Sequence, residues 1–115
     1  MSGKKKNQRN WKRAREFRYK KATKSTPRHP AYIFGKSKKS FKYLISTTEP
    51  HTHGVNNVPL KHNFDPEDSR PAYLRDGYFV DFDYKFEDVG DKKFRVDKED
   101  LATVKRLSKK RFQKK

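Results

Sequence analysis

The sequence predicts a small α+β fold: a curved antiparallel sheet, open or closed as an SH3-like barrel, with basic N- and C-terminal helices. Three observations point there. Nine Phe, six Tyr and one Trp among 115 residues supply bulky core material. Residues 78–86 alternate apolar and polar side chains, the period of a half-buried strand. Lysine and arginine gather at the two ends, which leaves the middle free to pack. Because only 30% of residues are hydrophobic and 39% are charged, the core is expected to be modest for one domain.

Taken in chain order, residues 1–30 read as a basic N-terminal arm, 31–97 as a β-rich core domain, and 98–115 as a basic C-terminal helix and tail. Residues 1–10 are polar and lysine-rich and are expected to lack structure. Residues 11–22 predict a helix, since Ala, Arg, Lys and Glu dominate without Gly or Pro. Trp11, Ala14 and Phe17 recur along it at near-helical spacing. Pro27 and Pro30 mark a turn. Residues 31–34 and 41–46 predict a β-hairpin whose tip carries Lys36, Lys38 and Lys39. Residues 47–73 hold Pro50, Gly54, Pro59, Pro66 and Pro71 and predict a long irregular segment anchored by Val55, Val58 and Leu60. Residues 78–86 predict a strand burying Tyr78, Val80, Phe82, Tyr84 and Phe86, with Asp81 and Asp83 on its wet face. After Gly90, residues 94–96 predict its partner strand. Asp97 is an expected N-cap, with Asp100 completing a capping box, for a helix over 98–111 that buries Leu101, Val104 and Leu107.

The charge distribution says more than the net +17. Residues 1–48 hold sixteen Lys/Arg and one acid, Glu16; 49–100 hold eight basic and thirteen acidic residues; 101–115 hold seven basic residues and no acid. Two cationic flanks repel each other unless a polyanion lies between them, and each neutralised phosphate releases counterions. Nucleic acid, RNA over DNA, is therefore the expected partner. Arginine forks onto phosphates and stacks on unpaired bases. The expected contacts are Arg9, Lys12, Arg13, Arg15, Arg18, Lys20 and Lys21 in the arm, Lys36, Lys38 and Lys39 at the hairpin tip, Arg75, and Lys105, Arg106, Lys109, Lys110 and Arg111 in the C-terminal helix. A nucleic-acid-handling protein or the ribosome is a further expected partner class.

Other chemistries find little support. With no cysteine there is no disulfide, thiolate metal site or thiol nucleophile. No apolar run approaches a membrane span, and the charged N-terminus lacks a signal peptide's apolar stretch, so a cytoplasmic setting without membrane contact is expected. His51 and His53, two residues apart, match no recognised metal-ligand spacing, nor does His62 ahead of Asp65, Glu67 and Asp68. No metal and no cofactor are expected. A metal-independent ribonuclease needs a general base or acid and a cation beside the phosphorane. His51 or His53 with Arg70 or Arg75, and Thr47 or Thr48 as hydrogen-bond donors, meet that description. Enzymatic activity stays an open alternative, and binding without chemistry is the primary expectation.

The stretches Tyr43-Leu44-Ile45-Ser46-Thr47-Thr48, Thr52-His53-Gly54-Val55-Asn56-Asn57-Val58-Pro59-Leu60, Asn63-Phe64-Asp65-Pro66-Glu67-Asp68 and Arg70-Pro71-Ala72-Tyr73-Leu74-Arg75 resemble small basic bacterial proteins of plasmids, phages and other mobile elements. The order of strand, Ser/Thr-rich turn, Gly-containing loop and Arg-Pro-Ala-Tyr also resembles the PemK/MazF-type toxin barrel. That likeness implies an RNA-cutting SH3-like barrel with Thr47, Thr48, His53, Arg70 and Arg75 near the RNA, and His53, Arg70 and Thr48 as the catalytic candidates.

Overall fold

The computed structural model describes residues 15–113. The expected unstructured residues 1–10, the first four residues of the expected N-terminal helix, and residues 114–115 lie outside them. The architecture is α+β, a mostly antiparallel sheet with one short helix. Its strands are β1 (Glu16–Lys20), β2 (His29–Ser37), β3 (Ser40–Thr47), β4 (His51–Thr52), β5 (Val55–Asn56), β6 (Val58–Pro59), β7 (Tyr73–Leu74), β8 (Phe79–Phe82) and β9 (Phe86–Glu87). The helix is α1 (Leu101–Leu107). The main sheet runs β6-β7-β3-β2-β1-β9, with β8 on β3 alongside β7, and β4 pairs β5 separately. The outer strands β6 and β9 do not pair, so the sheet does not close into a barrel.

Where a basic helix was expected over 11–22, residues 16–20 form a central strand, with Phe17 opposite Tyr32 and Lys20 opposite His29. The physical reason is a period of two. Phe17 and Tyr19 pack on one side of the sheet, Phe17 against Phe64, Tyr32 and Phe94 and Tyr19 against Phe94. Glu16, Arg18 and Lys20 project to the other, where Arg18 and Lys20 lie over the Phe41 and Tyr43 rings. Burial of aromatics in a sheet overrides the weak helix propensity of the residues between them. The hairpin is as expected and longer. Its register slips between Ile33 and Gly35, and its turn is only Lys38-Lys39.

The two faces of the sheet carry two cores. On one, Leu44 and Leu74 meet Leu60, Phe64 and Ala72 from the irregular segment and Val104 and Leu107 from α1. On the other, Ala31, Ile33, Phe41, Tyr43 and Phe86 pack together, flanked by Ile45 and Phe79. Burying each leucine, isoleucine, valine or phenylalanine among them contributes roughly 1.5–3 kcal/mol, so both clusters help hold the sheet together.

Three further expectations change. Residues 78–86 are not one strand: β8 ends at Phe82, a 3-10 turn spans Asp83–Lys85, and β9 begins at Phe86. The turn carries the chain from the β3 edge to the β1 edge. Asp83 N–H donates to the Lys39 carbonyl at 2.7 Å, and Lys21 N–H to the Lys85 carbonyl at 2.9 Å. Phe82 and Tyr84 are exposed rather than buried. Residues 94–96 form no strand; Arg95 N–H instead donates to the Phe64 carbonyl at 2.9 Å. The expected basic C-terminal helix shortens to α1 behind a 3-10 turn at Lys98–Asp100, so Lys109, Lys110 and Arg111 follow the helix.

The cap explains that start. The Asp97 side chain accepts from Glu99 N–H at 2.9 Å, as an N-cap should. Asp100 does not complete the box. Its buried carboxylate turns to the irregular segment, accepting from Lys61 N–H at 2.7 Å and His62 N–H at 3.0 Å. Leu101 is exposed, while Val104 and Leu107 reach the core. Beyond α1 the chain returns along Tyr78, whose N–H donates to the Lys110 carbonyl and whose carbonyl accepts from Phe112 N–H. Gly77 permits this approach: its φ is +135°, and a Cβ there would lie 2.7 Å from the Lys110 carbonyl and the Phe112 backbone.

Candidate nucleic-acid interface

At its β4–β5 end, the Tyr43 face of the sheet opens into a groove of about 720 Å³. Alternation along the strands builds it. Tyr43, Ile45 and Thr47 of β3 form its floor with Phe79 and Asp81 of β8. Lys20 of β1 and His29 of β2 are register partners and reach it together. The turn around Ser25, Thr26 and Pro27 makes one rim, and Thr48, Glu49, His51, Thr52 and His53 make the other. Asn57 holds that second rim, its side-chain amide donating to the Glu49 carbonyl at 2.9 Å and to Thr52 Oγ1 at 2.8 Å. His53 sits at the β4–β5 turn with φ +50°, an uncommon conformation outside glycine.

Arg75 enters between β7 and β8. Its guanidinium lies 4.5 Å from the Phe112 ring centre and 5.6 Å from that of Phe79. Those two rings stack on each other with centroids 4.7 Å apart. Arg75 makes no ion pair among the described residues, and its Nε is buried without a hydrogen-bond partner. Burial holds its pKa below the usual arginine value.

Two other groups in the groove are shifted. Burial lowers the His29 pKa, and the positive charges of Arg75 and Lys20 lower it further, against a hydrogen bond to the Ser46 backbone that raises it. The ring is therefore neutral near pH 7. Asp81 accepts from the Tyr43 hydroxyl at 2.6 Å and from Lys85 Nζ at 3.2 Å, with Lys20 Nζ 3.4 Å away. Burial raises its pKa, but the Tyr43 hydrogen bond and the two lysines outweigh that and hold it lowered. The same pairing, on top of burial, pushes the Tyr43 hydroxyl pKa up. Asp81 is thus not on a wet outer face as expected. It is a counter-charge inside the groove.

The groove brings together Thr48, His53, Arg75 and Lys20 from the predicted set. Arg70 is elsewhere. It lines a second cleft, of about 450 Å³, and is engaged by Asp68 through contacts of 3.0 and 2.7 Å. The Arg70 side-chain and backbone hydrogen bonds draw Asp68 down to about 2. Arg18 pairs with Glu16 at 2.6 Å, Lys36 with the same carboxylate, and Lys110 with Asp76 at 2.9 Å. These three cations, like Lys20 beside Asp81, are partly neutralised before any ligand arrives. Arg15, Lys21, Lys38, Lys39, Lys105, Arg106, Lys109 and Arg111 are exposed, whereas Arg9, Lys12 and Arg13 lie outside the described residues. His62 meets Glu99 at 2.7 Å and Asp97 at 3.7 Å rather than the acids that follow it in sequence. Hydrogen bonding to Glu99 and the nearby carboxylates raise the His62 pKa in this partly exposed cluster.

His29 had no signal of its own in the sequence. Its place in the groove depends on register with Lys20, and so on β1 being a strand. Comparison with family models, curated proteins and solved structures gives no match. No helix among the described residues is long and apolar enough to cross a membrane.

Proposed function

We propose that this protein binds nucleic acid, RNA in preference to DNA, chiefly through phosphates, with the Arg75 groove as a specific seat and the basic flanks as its electrostatic reach. The carrying observation is Arg75: a half-buried guanidinium lying over the Phe112 ring, with no carboxylate partner among the described residues. Holding a cation in that state costs free energy that a bound anion recovers. Lys20, which shares the Asp81 carboxylate with Lys85, and neutral His29 line the same groove. Thr47, Thr48, His51 and His53 offer hydroxyl and imidazole groups to a 2′-hydroxyl, which favours RNA. A cytoplasmic setting and an origin in a mobile element belong to the same reading, the second resting on sequence resemblance alone.

The test is fluorescence anisotropy with labelled RNA and DNA of one sequence, in EDTA, between about 50 and 200 mM salt. Binding is expected to weaken steeply with salt, and Arg75→Ala to weaken it about tenfold. No binding to either polymer at the lowest salt sinks the proposal.

A second reading uses the same groove. A neutral imidazole beside Arg75 and Lys20 has the parts of a general base and an oxyanion clamp, those of a metal-independent endoribonuclease. Gel analysis of the RNA from the same incubations separates the two. Cleavage lost in His29→Ala or His53→Ala favours the enzyme, and intact RNA favours the binder.

A further inference from the structure

We infer that Phe82 and Tyr84, with the lysine turn of the β2–β3 hairpin beside them, form a stacking platform for unpaired bases of single-stranded RNA. This rests on the nucleic-acid reading and adds to it a strand class and a second contact surface. Among the described residues these are the two exposed aromatic side chains, at 53% and 66% of full exposure. Their rings lie nearly parallel, 12° between planes and 5.7 Å between centroids. Every other described aromatic is buried or half-buried, so among the described residues these two rings stand apart from the packing. Two parallel rings offer outward faces of the kind on which bases stack.

The pair is held in place before any ligand arrives. The 3-10 turn Asp83–Lys85 sets Tyr84 beside Phe82. That turn is fixed at three points: Asp83 N–H on the Lys39 carbonyl, Lys21 N–H on the Lys85 carbonyl, and Lys85 Nζ on Asp81. The first bond makes the platform and the hairpin tip contiguous. Lys38 and Lys39 occupy that tip, exposed and without an ion pair among the described residues. Their charge suits the backbone of a strand whose bases lie on the rings. Asp83, exposed and lying between the two aromatics in sequence, repels phosphate near the platform. It directs the backbone to the lysine side and can accept from a base amino group. Asp81 and Phe79 face the Arg75 groove, while Phe82 lies on the opposite side of β8. Platform and groove therefore flank one short strand.

Single-stranded RNA is the favoured occupant over a second copy of the chain. A net charge of +17 opposes self-association, and two rings are far below the area a stable protein interface needs. A duplex is disfavoured because its bases are already stacked.

The test compares anisotropy of a single-stranded RNA and a stem of similar length against the full chain and Phe82→Ala/Tyr84→Ala. The double variant is expected to lose about 10- to 100-fold in single-strand affinity. Its salt slope should stay unchanged, since no phosphate contact is removed. Phe82→Leu/Tyr84→Leu, apolar but without rings, should lose affinity as well. The inference is overturned if the parent binds single strands and either variant binds them equally, or if stem affinity falls by the same factor. It is also overturned if the parent is a dimer by light scattering and the variants are monomers. If the parent binds no nucleic acid, the broader reading falls together with this one.

Discussion

Arg75 and His29 carry the sharpest expectations at the scale of single residues. Arg75→Lys keeps the charge and loses the planar guanidinium that lies over the Phe112 ring. RNA affinity is expected to stay well below the parent's, near that of Arg75→Ala, in the same anisotropy assay. For His29 the folded pKa lies below the unfolded value of 6.5. The native state then binds fewer protons than the unfolded chain near that pH, so stability is full above it and declines as pH falls through it. His29→Gln should flatten this decline between about pH 6.5 and 5 in thermal melts. RNA binding has the opposite sign. A phosphate beside the ring favours its protonated form, so affinity should rise as pH drops over that window, and the rise should shrink in His29→Gln.

Elements set where those residues stand. If residues 16–20 were a solvent-facing helix, Phe17→Ala would cost almost nothing. Packed as β1 against Phe64 and Tyr32, it should cost about 2 kcal/mol by urea denaturation, less than a fully buried Phe because the ring is half-exposed. The start of α1 is tied to the irregular segment by Asp100. Asp100→Ala strands the Lys61 and His62 N–H groups and should cost roughly 3 kcal/mol. Leu107→Ala, fully buried in the same core, should cost about 2–5 kcal/mol. Both variants loosen the core behind the groove rather than its charges, so the salt slope of RNA binding should be unchanged wherever they remain folded.

For the whole molecule, the charge pattern rather than any one site governs reach. Residues 101–115 bring seven basic residues without an acid. Lys105, Arg106, Lys109 and Arg111 are exposed and make no ion pair among the described residues, whereas Lys110 is held by Asp76. Replacing those four by Gln should lower the slope of log affinity against log salt by about 0.7 for each phosphate no longer neutralised. Lys110→Gln alone should change it less, because its charge is already partly compensated. An unaltered slope in the fourfold variant would remove the C-terminal segment from the interface.

The residues alone determined the class of fold, the hairpin, the Asp97 cap and the segregation of charge, since these depend on local period, turn chemistry and composition. They also named Thr48, His53 and Arg75. They misplaced β1, because helix propensity and a two-residue aromatic alternation compete over the same few positions and only the neighbouring strand resolves them. They buried Phe82 and Tyr84, because alternation reports a strand's two faces but not which one finds a partner. Only the tertiary structure decided that Lys20 and His29 meet across β1 and β2, that Arg70 lines a different cleft from Arg75, and that Arg75 has no carboxylate partner among the described residues. Each of those depends on contacts between residues distant in sequence or in register, which no local pattern encodes.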